Sequence, residues 1–243
     1  MIFVIFFAGY LFVIANKEKQ IILSGLGSYM GGVIASLAFF FAINEYNKNK
    51  TFHAKCKVRK LYKDLILKIK NEITSDITLL SFAVVELNEM AEKTYSGYID
   101  IDKRELETLS RTLSETYKKY YKINSEIDSI YGDVTFYNKG VASYYKDEVA
   151  KATEVIENVI RVSEIYIGFT IAIEGAFVFK PELAERQLKM VKGSLEKEIG
   201  KNFIIDFCSK NKSIKCFDYQ DIEELQKIKD LFFSFEKYKE VNI

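Results

Sequence analysis

One proline, one histidine and three cysteines in 243 residues leave several kinds of protein out of consideration. With Pro181 alone, 12 glycines and no Gly/Ser linker, the chain has few helix breakers, which favours long helices over a many-turned β fold. Cys56, Cys208 and Cys216 are odd in number and lack CxxC spacing, so reduced thiols are expected rather than a disulfide framework. His53 and Cys56 form an i, i+3 pair, but zinc wants three or four ligands and nothing nearby completes the set. The lone histidine also excludes the paired Glu-x-x-His motifs of di-iron bundles, and it leaves a Ser-His or Cys-His dyad without an orienting carboxylate. The phosphate-cradling P-loop pattern is absent. No enzymatic activity, metal or cofactor is expected.

Charge of one sign is lacking too. A net charge of +1 gives no global attraction to nucleic acid, and nucleic acid is not expected as a direct ligand. A mean hydropathy of -0.04 is ordinary only because an apolar beginning is averaged with a charged remainder.

Residues 2 to 15, IFVIFFAGYLFVIA, carry no charge, and after the polar break NKEKQ neither does IILSGLGSYMGGVIASLAFFFAI, Ile21 to Ile43. As a helix the second segment spans about 34 Å, enough for a hydrocarbon core of about 30 Å. The first reaches only about 21 Å, so it crosses where the bilayer thins or lies tilted or re-entrant. A cleaved signal peptide is disfavoured, because nothing charged precedes Lys17 and a second apolar segment follows at once. The break offers Lys17 and Lys19. The stretch after Ile43 offers Lys48, Lys50, Lys55, Lys57, Arg59, Lys60 and Lys63. By the positive-inside rule the large C-terminal part is therefore cytoplasmic. The expected organisation is a transmembrane hairpin over 1–44 and a cytoplasmic helical domain over 45–243.

Small residues recur every four positions in the second segment, as Gly27, Gly31 and Ala35 in one row and Ser28, Gly32 and Ser36 in the next. Lipid supplies no hydrophobic drive between helices, so association there depends on close backbone approach, which such residues allow. The rows pack on the first segment of the same chain, on other chains to build a homo-oligomer, or on both. The basic residues Lys48 to Lys63 serve as a topology signal, or as contacts to anionic lipid headgroups worth about 1 kcal/mol each. They lack interleaved stacking aromatics apart from Phe52 and Tyr62, which argues against single-stranded nucleic acid.

Neither Pro nor Gly occurs from Val33 to Ser96, so the second membrane helix is expected to continue as one rod. Its apolar stripe, Leu61, Leu65, Ile69, Ile73, Ile77, Leu80, Val84 and Leu87, keeps helical spacing. Glu72, Asp76, Glu86, Glu89 and Glu92 are expected as a solvated face. A turn containing Gly97 ends the rod, and Asp102 with Glu105 gives a capping-box-like start to a helix carrying Leu106, Leu109, Leu113, Tyr117, Tyr120, Ile123, Ile127 and Ile130. After Gly132 and Gly140 a third helix is expected from about Ala142 to Phe179. A fourth starts at Pro181 with Leu188, Val191, Leu195, Ile199 and Phe203 inward. A last helix carries Ile222, Leu225, Ile228, Phe232 and Phe235. Residues 165–179 are apolar enough to pass for a strand, yet Glu157, Arg161 and Glu164 upstream keep helical spacing, and the stretch is expected inside the bundle or as a segment that inserts into membrane on activation. The fold class is thus all-α, a two-helix transmembrane hairpin followed by a bundle of about five long helices.

This build resembles, in layout, the two-transmembrane membrane effectors of bacterial anti-phage defence, retron-associated ones among them. The likeness covers the whole chain and rests on no shared motif, so it assigns no functional residue. It implies a protein of the inner membrane, held inactive and released during infection to perturb that membrane. The residues themselves leave a static scaffold that recruits a cytoplasmic protein partner as the other class.

Overall fold

A computed structural model of the chain describes residues 4, 7, 8, 10, 11, 17–95, 102–178, 181–202 and 204–206. Among these the fold is all-helical, with no strand. Helix α1 covers Lys17–Lys60, a π-helical turn covers Leu61–Ile66, and α2 covers Leu67–Tyr95. Then follow α3 (Lys103–Tyr137), α4 (Lys139–Val178) and α5 (Pro181–Glu198). Val4, Phe7, Ala8, Tyr10 and Leu11 are helical and exposed. The turn around Gly97, Phe203, the remaining cysteines Cys208 and Cys216, and the expected last helix lie outside the described residues.

The chain divides into two compact units, Met1–Phe52 and His53–Ile243. The division between them falls inside α1. The apolar stretch of α1 is long and apolar enough to cross a membrane, and none of it is buried among the described residues. Lys17 to Gln20, read from sequence as part of a break, are already helical.

The second unit is built on the predicted stripe. Leu61, Ile69, Ile73, Ile77, Leu80, Val84 and Leu87 are fully buried, and Leu65 is half-buried against them. Each contributes about 1.5–3 kcal/mol on burial. Residues 61 to 77 of this stripe are spaced by fours, and on an α-helix each such step overshoots a full turn by about 40°. A stripe of that length winds off one face. The π turn at Leu61–Ile66 winds less per residue and takes back part of the drift, which keeps Leu61 and Ile77 on the same core.

Helix α3 meets that core through Leu106, Leu113, Tyr120, Ile127 and Val134, all buried and all seven residues apart. A strict seven-residue period is the seam of coiled-coil packing. Asp102 caps α3, its Oδ1 accepting from Arg104 N at 2.9 Å. The helix does not stop at Gly132 but runs on to Tyr137, where Asn138 ends it and starts the next: its backbone N–H donates to Val134 O while its Oδ1 accepts from Gly140 N at 2.9 Å and Val141 N at 3.2 Å. A mid-helix glycine costs only about 1 kcal/mol. Val134 two residues on, fully buried, outweighs that.

Residues 165–178 are helical, and Ile165, Tyr166, Phe169, Thr170, Ala172 and Ile173 are buried in the bundle, with Glu174 exposed. Asn88 Nδ2 donates to the Tyr166 hydroxyl at 3.0 Å and ties α2 to α4. Helix α5 begins at Pro181 as expected and packs Leu188 inward, with Val191 and Leu195 half-buried. Ile199 is a correction: α5 ends at Glu198, Gly200 takes φ 77°, and Ile199 is left exposed in the turn. Gly168 of α4 faces α5, where an added Cβ would stand 3.5 Å from Val191 Cγ2. That is ordinary contact, so Gly168→Ala should be neutral or stabilise by up to about 1 kcal/mol through helix propensity. Gly168→Leu should cost about 1–3 kcal/mol and loosen α5. Hydrogen exchange of residues 185–198 checks both; unchanged protection in the leucine variant would show that α5 does not depend on this contact.

Candidate functional site

The small-residue rows lie open. A Cβ built on Gly27, Gly31 or Gly32 meets no atom within 4 Å, and Ser28, Ala35 and their neighbours are exposed. Ser36 Oγ satisfies itself locally by donating to Gly32 O at 2.9 Å. Among the described residues nothing covers this face, so the surface remains available for close helix approach.

The basic residues do not form one uniform group. Lys48 pairs with Glu45 at 3.1 Å, and Lys50 lies 4.8 Å over the Tyr46 ring. Lys57 reaches across to α3 and pairs with Asp133 at 2.5 Å. Lys55, Arg59, Lys60 and Lys63 are exposed. His53 stacks on Tyr137, ring centroids 5.6 Å apart. Among the described residues no cluster of three or more His, Cys, Asp or Glu side chains is placed to hold a metal ion.

Two features escaped the sequence reading. The first is a polar clamp between α2 and α3. Lys119 Nζ pairs with Glu72 at 2.7 Å and Asp76 at 2.5 Å, and the buried Tyr120 hydroxyl donates to the same Asp76 oxygen at 2.8 Å. Asp76, expected on a solvated face, has a side chain only 19% exposed. The available signal was the seven-residue period, which puts a hydroxyl-bearing Tyr120 between Leu113 and Ile127 and so demands a buried acceptor. The second is a groove of about 560 Å³ beside the π turn. Its floor is Leu65, Ile69, Ile123 and Ile130, and its rim carries Lys60, Asp64, Glu72, Lys119, Lys122 and Glu126. Charges of both signs around an apolar floor suit a side chain or short helix of another protein better than a simple ion.

No family model matches the sequence, and no curated protein or solved structure matches it either.

Burial works to lower the Lys119 pKa, but hydrogen bonds to Asp76 and Glu72 outweigh it and hold it above the usual lysine value. Burial, followed by the Asp76 charge, raises the Tyr120 hydroxyl as well. Both groups titrate higher folded than unfolded, so their stabilisation is complete below pH about 10 and is lost as pH rises through the raised values. Lys119→Met should therefore flatten the alkaline limb of the stability profile in denaturant titrations. Asp76→Ala should cost about 1–3 kcal/mol at neutral pH by stranding the Tyr120 hydroxyl. An unaltered alkaline limb in Lys119→Met would remove the clamp from the account of stability.

Proposed function

We propose that this chain is a membrane-anchored helical effector of the inner membrane, whose apolar N-terminal hairpin self-associates and perturbs the bilayer once the cytoplasmic bundle receives a signal. The observation that carries the reading is an apolar helix that the described residues leave uncovered, with an open row of Gly27, Gly31 and Ala35 along it. A helix of this kind is at home in lipid, where packing of small residues drives association. The lysines and arginine after Ile43 support a cytoplasmic position for the bundle. The layout shared with anti-phage membrane effectors supports an antiviral role.

The groove at the π turn favours a second reading, a non-enzymatic scaffold that tethers a cytoplasmic protein partner to the membrane. The two differ in what happens to the membrane. A Cβ at Gly31 meets no described atom, so Gly31→Leu acts on whatever packs against this row, and crosslinking between chains separates other chains from the first segment of the same chain. Under the effector reading it abolishes oligomers in native-membrane crosslinking and abolishes the depolarisation that induced expression of the natural chain produces in a potential-sensitive dye assay. Depolarisation and crosslinking that persist unchanged would sink the self-association, and a membrane that stays polarised with the natural chain favours the scaffold.

The hairpin has its own test. A topology reporter inserted at Glu18 is expected to read external, and a cytoplasmic signal there would reduce the anchor to one span.

A further inference from the structure

The end of the bundle where α3 turns into α4 carries its apolar surface in an unusual place. Phe136, in the last turn of α3, is 78% exposed, and Tyr144, early in α4, is also exposed. Residues 134–146, VTFYNKGVASYYK, contain four aromatic side chains, Tyr145 among them buried, and two lysines; Asp133, paired with Lys57, and the exposed Asp147 border the stretch. The part of α1 lying alongside, His53 to Lys60, is free of acidic residues and contributes Lys55 and Arg59 to the surface. His53 stacks on Tyr137 and Lys57 pairs with Asp133, so α3 runs opposite to α1 here. Aromatic rings together with cations are the side chains that settle at a membrane–water interface.

The chain also limits how far this end can stand from the bilayer. Ten residues separate Ile43 from His53. As helix they measure about 15 Å, and His53 is itself stacked on Tyr137 at this end. The headgroup layer outside a core of about 30 Å takes up roughly 5–7 Å of that distance.

We propose that the α3–α4 turn is a second membrane contact, at which Phe136 enters the interfacial layer of an anionic bilayer, Tyr144 lies at headgroup level and Lys139 meets lipid phosphates. This rests on the reading of Ile21–Ile43 as a membrane span. The contact fixes the bundle's base on the leaflet, so a signal that lifts the bundle has a defined surface to release.

The chain has no tryptophan, so single reporters can be placed without background. Full-length Phe136→Trp, Phe40→Trp and Tyr121→Trp variants are reconstituted in phosphatidylethanolamine–phosphatidylglycerol vesicles carrying acyl chains brominated near the headgroup. All three positions are well exposed, at 78%, 68% and 59%, so the protein tolerates the exchange. The expected result is blue-shifted, quenched emission at 136 and quenching at 40 in the apolar stretch, with red-shifted, unquenched emission at 121, about 22 Å further along α3. Emission at 136 that matches 121 while 40 is quenched overturns the second contact and leaves the membrane span standing. Loss of quenching at 40 overturns the span, and the contact with it. In neutral phosphatidylcholine vesicles the quenching at 136 should fall, and equal quenching there overturns the part assigned to Lys139.

Discussion

Between Ile21 and Ile43 the chain holds a helix of Ile, Leu, Phe and small residues that no described part of the protein shelters. In water each exposed large apolar side chain forgoes about 1.5–3 kcal/mol of burial. A membrane would remove that penalty, and it would also set conditions on everything joined to the helix. The stretch after Ile43 would have to be compatible with headgroups, a condition its lysines meet. The helices beyond bury their own apolar faces against each other.

The bundle is held by two devices of different character. Apolar side chains at a seven-residue period on α3 and along the four-residue stripe of α2 supply most of the stabilisation, which is non-directional. Polar ties supply position. Asp76 with Lys119 and Tyr120, Asn88 with Tyr166, and Lys57 with Asp133 each join side chains far apart in sequence, and each is satisfied only at one register of the helices concerned. The π turn belongs with them, since it fits a stripe of uneven period to a single core.

The sequence exposed the helices more fully than their ends. Periodicity over Leu61–Leu87 and Leu106–Ile130 identified buried faces because many side chains repeat the same signal. A boundary rests on one residue. Gly132 reads as a break yet lies within α3, while Asn138 makes the turn by capping both sides at once. Ile199 follows the apolar rhythm of α5 but falls one residue past its last turn. Of the candidate site, the open small-residue rows and the basic stretch were legible as composition. The groove was not, since its floor and rim come from residues as distant as Lys60 and Ile130.

By itself the sequence determined the helical class, the apolar stretch, the small-residue rows and the excess of positive charge after Ile43, because each depends on local spacing or composition along one segment. Tertiary structure decided what those segments do to one another. It drew Asp76 out of solvent, paired Lys57 with Asp133, seated the Ile165–Ile173 stretch in a core and left Phe136 outside it. Whether a side chain is covered is a property of its neighbours in space, and the order of residues along one helix does not contain it.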